Sequence, residues 1–158
     1  MFGTEDCMYR VGFICIKNSC RSQMAEAFSR KHAKDIIEPF SGGTEPWDRI
    51  DPMAVEVMME TGIDMSGQTP KILSKDTLYS LDLVVHMGCG SQQCLIVPGV
   101  PSEEWAIEDP VGSSIEIYRR ARDLIEKKVL DLATRLRAGP PSKTEDALGG
   151  VSFRLAEE

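Results

Sequence analysis

Cys15 and Arg21 enclose five residues, and the run Cys15-Ile16-Lys17-Asn18-Ser19-Cys20-Arg21 has the form Cys-x5-Arg. A loop of that length can wrap so that its peptide N–H groups converge on one tetrahedral oxyanion. A helix starting directly after it adds the positive end of its dipole. The same field favours the thiolate of a cysteine at the loop's mouth, and the thiolate is the nucleophilic form. An arginine closing the loop can bracket two oxygens of the anion with its planar fork. Cys15 as nucleophile, Ile16 to Cys20 as cradle and Arg21 as clamp therefore form a candidate site for oxyanion chemistry at sulfur. Two further groups could take part. Asp109-Pro110 offers a carboxyl able to protonate a leaving oxygen, although an aspartate before proline is also an ordinary turn residue. Cys89 and Cys94 form a second thiol pair in Gly88-Cys89-Gly90-Ser91-Gln92-Gln93-Cys94.

The elements that must position these groups are legible as apolar runs and helical periodicity. Tyr9–Ile16 is a short run rich in β-formers, the signature of a strand buried on both faces, and it ends at the loop. Ser22–Lys34 has helical composition. Ile36–Phe40 reads as a second strand, and Pro52 sits at a good first position for a helix over Met53–Glu60 that Gly62 would end. Leu81–Met87 is a third strand, and Trp105–Glu108 is a shorter fourth that leads into Asp109. From Ser113 to about Arg137, Tyr118, Ala121, Ile125, Val129, Leu132 and Leu136 recur in steps of three and four, one apolar stripe on a long helix. Strands alternating with helices predict an α/β fold: one three-layer domain with a four-stranded parallel sheet, helices on both faces and the anion loop after the first strand. In such sheets ligands sit at the carboxyl ends of strands. Residues 1–8 read as a leader, 9–138 as the domain, and 139–158, with its prolines and paired glycines, as a flexible tail.

The chain has 158 residues, 42% of them apolar and 27% charged, which suits one globular domain. Its formal net charge of −7 is opposite to a nucleic-acid footprint, so an anion must be drawn in by a confined site against the overall field. No run reaches bilayer-spanning length and the acidic start does not suit a signal peptide, so the expectation is a cytoplasmic protein without membrane contact. In that setting its five cysteines point to catalysis, redox exchange or metal binding rather than structural disulfides. Cys7 lies in the leader and falls outside any pairing. Cys15/Cys20 and Cys89/Cys94 are both Cys-x4-Cys pairs that could in principle bind zinc. The usual knuckle spacing is tighter and the first pair lies inside the anion loop, so no metal site is expected.

The longer string from Cys15 through Arg21-Ser22-Gln23-Met24-Ala25-Glu26 resembles the signature of the thioredoxin-coupled arsenate reductases, a branch on the low-molecular-weight phosphatase scaffold. Ser41-Gly42-Gly43, Thr61 to Ser66, Asp82 to Val85 and Trp105 to Gly112 resemble further segments of that family in the same order. The resemblance implies that Cys15 attacks arsenate, that Arg21 and the loop bind it, and that Asp109 is the general acid. It also implies that Cys89 and Cys94 relay the oxidation to thioredoxin or a similar thiol donor, with no tightly bound cofactor. The family pattern is Cys-x6-Cys followed by proline, whereas this chain has Cys-x4-Cys followed by Leu95. The alternative is phosphomonoester hydrolysis. The second thiol pair, and the absence of tyrosines directly after Asp109-Pro110, favour the reductase. Family members often hold potassium at positions matching Asn18, Glu26, Ser41 and an aspartate that falls on Lys71 here. An ammonium cannot ligate a cation but can pair with Glu26, so potassium independence is expected.

Overall fold

The computed structural model describes residues 8–88 and 96–141. Residues 1–7 with Cys7, the Cys89/Cys94 pair and the tail from residue 142 lie outside the described residues. The elements run β1 (Tyr9–Cys15), α1 (Arg21–His32), β2 (Ile37–Gly43), α2 (Pro52–Met59), α3 (Lys75–Tyr79), β3 (Leu83–His86), β4 (Ser102–Glu104) and α4 (Ile115–Ala138). The four strands form one sheet in the order β2-β1-β3-β4, every neighbouring pair parallel. This is the α/β architecture that the sequence predicts.

β1 is central because both of its faces are apolar. Val11, Phe13 and Cys15 join the main core with α1, α2 and α4, while Ile14 points into a smaller cluster with Leu78, Leu81, Val84 and Val97. Each fully buried Val, Leu or Phe contributes about 1.5–3 kcal/mol by leaving water. The α4 stripe is buried as its periodicity requires, and Ala133 joins it. Asp51 caps α2 by accepting from the Met53 N–H at 3.0 Å, with Pro52 at the first helical turn. Gly62 takes up a left-handed φ of +85° in the turn that follows.

Three elements depart from the sequence reading by more than a residue or two. The fourth strand is Ser102–Glu104, not Trp105–Glu108. It is an edge strand that needs only backbone pairing with Val84–His86. The large side chains of Trp105 and Ile107 are buried from the loop beyond it, so their apolarity marks the core rather than a strand. The short helix α3, capped by Ser74 accepting from the Thr77 N–H at 3.1 Å, has no apolar stripe long enough to reveal it. β2 also runs to Gly43, three residues past the expected end, because its register follows β1 up to Cys15↔Gly43.

Candidate active site

The loop between β1 and α1 is held from outside through its carbonyls. The Cys15, Ile16 and Lys17 carbonyls accept from the N–H groups of Thr44 (3.3 Å), Glu45 (2.8 Å) and Trp47 (3.0 Å), in the segment that continues β2. The Asn18 carbonyl accepts from Gln23 Nε2 at 3.0 Å. The Ser19 carbonyl accepts from the Asp51 N–H at 2.9 Å, and that of Cys20 from the Met24 N–H at 3.0 Å. With six consecutive carbonyls turned outward and bonded, the inner face of the loop is left to its N–H groups, which is what an oxyanion cradle needs. Gly43 makes this packing possible. A Cβ there would lie 2.5 Å from the Ile16 carbonyl oxygen and 3.0 Å from the Asn18 backbone nitrogen. Asn18 itself takes a left-handed φ of 51°, a conformation asparagine tolerates better than most residues.

Cys15 Sγ sits at the loop's mouth, 2.9 Å from Ser22 Oγ and 3.2 Å from the Asn18 N–H. Cys15 and Cys20 are both buried, free thiols. Burial, and after it the nearby carboxylates of Asp51 and Asp109, push the Cys20 thiol well above its ordinary range, so Cys20 stays protonated. Asp51 is itself buried, holding the Tyr118 hydroxyl at 2.6 Å as well as the α2 cap. Burial and that carboxylate raise Tyr118 in turn, which keeps it a hydrogen-bond donor.

Arg21 divides its guanidinium between backbone carbonyls and Asp109. Nη1 donates to the carbonyls of Met87 (2.7 Å) and Ile107 (2.9 Å), with that of Gly88 at 3.4 Å. Nη2 lies 3.6 Å from Asp109 Oδ2. Gly88 has φ +77°, and a Cβ on it would stand 2.7 Å from the Ile107 oxygen and 2.9 Å from Arg21 Nη1. Asp109 lies beyond the end of β4, in a loop, with Oδ1 accepting from the Val111 N–H at 3.2 Å and its side chain 55% exposed. Cys15, Ile16, Lys17, Ser19, Cys20, Arg21 and Asp109, with Val111, line one cavity of about 70 Å³. That is far below the ~300–1,000 Å³ of pockets for organic ligands and fits one small anion. The structure thus brings together Cys15, Arg21 and Asp109, while Asn18 serves from behind the loop. Cys89 and Cys94 lie outside the described residues, one residue beyond Gly88 at the nearest.

The chain matches the model of the low molecular weight phosphotyrosine protein phosphatase family over residues 10–141. The chain belongs to that family. Within the family, it is 38% identical to arsenate reductase 2 of Staphylococcus epidermidis, over 78% of this chain and 95% of the relative. It is 36% identical to the glutaredoxin arsenate reductase of Synechocystis, over 82% of this chain and 99% of the relative. The fold superposes on the Corynebacterium glutamicum thioredoxin-dependent arsenate reductase with a TM-score of 0.70 at 30% identity, over 83% of this chain and 63% of that one. Among the described residues no helix is long and apolar enough to cross a membrane.

At the positions that the family resemblance ties to potassium, the structure places the Lys71 ammonium. Lys71 Nζ stands 3.7 Å from Glu26 Oε1 and 3.3 Å from Ser41 Oγ, and Arg30 and Ser41 also hold the buried Glu26 carboxylate. The Lys71 N–H donates to Asn18 Oδ1 at 2.9 Å. Neither histidine joins the site. His32 pairs with Glu126 at 2.7 Å and stacks on Phe28, while burial lowers His86 to about 4 and keeps it neutral. Sequence reasoning missed Ser22, Gln23, Asp51 and Tyr118. Ser22 and Gln23 were visible inside the long motif, but nothing in their spacing announces a contact with sulfur or with residues 68–71.

Proposed function

We propose that this chain reduces arsenate to arsenite in the cytoplasm, using Cys15 as nucleophile and a thiol protein as electron donor. The observation that supports it most is the small cavity lined by Cys15, Arg21 and Asp109, in a chain whose relatives are named arsenate reductases. The loop N–H groups and the free edge of Arg21 hold the oxyanion. The Cys15 thiolate attacks arsenic(V), and Asp109 gives a proton to the departing oxygen, which leaves as water. Cys89 then attacks the Cys15 sulfur. The sulfur–arsenic bond breaks with its electron pair on arsenic, arsenite leaves, and Cys15–Cys89 becomes a disulfide. Attack by Cys94 on Cys89 moves the disulfide to Cys89–Cys94 and returns Cys15 as thiolate. Thioredoxin is the proposed donor that reduces this second disulfide. A glutaredoxin is the alternative, as one relative's name indicates.

Hydrolysis of phosphomonoesters is the second reading, favoured by the family's description and by an anion site that suits phosphate equally. A coupled assay with arsenate, thioredoxin, thioredoxin reductase and NADPH, run beside an aryl-phosphate assay, separates the two. NADPH oxidation that depends on arsenate is expected. Aryl-phosphate turnover without it would replace the reductase reading. Peptide mapping after one arsenate turnover without donor should find Cys89 joined to Cys94. If both thiols are free after arsenite has left, the donor attacks Cys15 directly and the relay does not operate.

A further inference from the structure

Gln23 takes no part in the chemistry above, yet it is fully buried in the first turn of α1, behind the loop. Its Nε2 faces three acceptors: Asn18 Oδ1 at 2.9 Å, and the Asn18 and Thr69 carbonyls, each at 3.0 Å. Its Oε1 accepts from Gln68 Nε2 at 2.5 Å. These contacts fix which end of the Gln23 amide is nitrogen, since the Asn18 and Thr69 carbonyls can be met only by its two N–H donors, one of them shared with the Asn18 side chain. The same accounting then fixes Asn18. Its Oδ1 receives both the Gln23 amide and the Lys71 backbone N–H at 2.9 Å, which fills both lone pairs. Its Nδ2 is therefore the end that meets Ser22, donating to Oγ at 2.7 Å. A hydroxyl that accepts on this side has one hydrogen to give elsewhere, and Cys15 Sγ is 2.9 Å away.

We propose that Gln23, braced by Gln68, is a positioning residue that sets the direction of a hydrogen-bond chain from Gln68 through Gln23, Asn18 and Ser22 to Cys15. The chain keeps the Ser22 hydrogen aimed at the sulfur. The inference rests on the reading of Cys15 as the nucleophile. Were the Asn18 amide reversed, its oxygen would attract the Ser22 hydrogen and the thiolate would lose a donor. Gln23 guards against this twice, because its Nε2 also holds the Asn18 carbonyl and with it the left-handed backbone. Among the described residues, the charged groups around the sulfur are Lys17, Arg21 and Asp109 on the cavity wall and Asp51 behind Cys20. Substitutions at Gln23, Gln68 and Ser22 leave all of them in place.

The test is the ultraviolet thiolate absorbance of Cys15 against pH, taken as the difference between each protein and its Cys15→Ser counterpart. Loss of one hydrogen bond to a charged acceptor moves that acceptor's titration by about one to two pH units. In Gln23→Met the thiolate should appear about one pH unit higher than in the wild type. Ser22→Ala should move it at least as far. The double variant should move it no further than Ser22→Ala, because Gln23 acts through that hydroxyl. A Gln23→Met midpoint equal to wild type overturns the proposal, and so do shifts that simply add in the double variant. If circular dichroism shows Gln23→Met unfolded, the half-buried Gln68→Leu decides: a smaller upward shift supports the chain and an unchanged midpoint overturns it. No arsenate is used, so a wild type inactive on arsenate would defeat the reductase reading and leave this measurement standing.

Discussion

The anion loop and the segment that carries Asp109 meet at one cavity but are held in opposite ways. Every carbonyl from Cys15 to Cys20 is bonded to the surrounding protein, and Cys15 itself is buried. Asp109 projects from a loop with a half-exposed side chain, one backbone N–H and a 3.6 Å ion pair to Arg21. The difference follows from what each must do. Donors that stabilise developing charge work best when they do not reorganise. On the proposed mechanism Asp109 delivers a proton and then lets the product leave, and such an acid needs access to water. Arg21 joins the two regions, its Nη1 gripping carbonyls at the end of β3 and in the Asp109 segment.

Substitutions can press on that contrast from either side. Cys15→Ser should abolish arsenate turnover down to the rate without enzyme, read by NADPH oxidation in the coupled assay. Asp109→Asn should lower kcat by about 10²–10⁴-fold while phosphate still competes with arsenate at nearly wild-type strength. A comparable loss of anion affinity would mean that the acid loop also builds the anion site. Gly88→Ala probes the joint. A methyl group against Ile107 and Arg21 at positive φ should cost about 1–3 kcal/mol in chemical denaturation and weaken phosphate inhibition, since Arg21 must shift. Potassium in place of sodium at equal ionic strength should leave melting temperature and arsenate KM unchanged, because the Lys71 ammonium already faces Glu26. A clear gain with potassium would show that Lys71 swings aside. The smallest effect is expected far from both regions. Arg119 and Arg122 hydrogen-bond Glu60 and hold it to about 2, so its contribution is present above its ordinary value of 4.5 and is lost as pH falls through about 2. Glu60→Gln should therefore lower the melting temperature slightly at neutral pH, and the gap should close towards pH 2.

What the sequence disclosed depended on how each residue acts. β1 and α4 were legible because their burial is written as composition and period: a strand apolar on both faces and a stripe in steps of three and four. β4 was not, because an edge strand pairs through its backbone and Ser102, Glu103 and Glu104 carry no β signal. Cys15 and Arg21 stood out because their chemistry and spacing lie within one loop. Nothing in the spacing around Asp109 separates it from an ordinary turn residue; only the family resemblance marks it. The contacts packed behind Cys15 join residues 18–23 to residues 68–71, across a distance in the chain that no local pattern encodes. Lys71 was placed correctly only by aligning it with a family position.

The outward-turned carbonyls also make the loop its own reporter. Peptide N–H groups that line an open cavity exchange their hydrogen with solvent readily, whereas those pledged to a ladder do so slowly. In the empty enzyme the amides of Ile16, Lys17, Ser19, Cys20 and Arg21, which line the cavity, should take up deuterium far faster than those of β1 immediately before them. A bound oxyanion should cap them and slow that uptake, with β1 unchanged. Mass spectrometry of one short peptide could then follow occupancy of the site by arsenate, phosphate or inhibitor without any turnover at all.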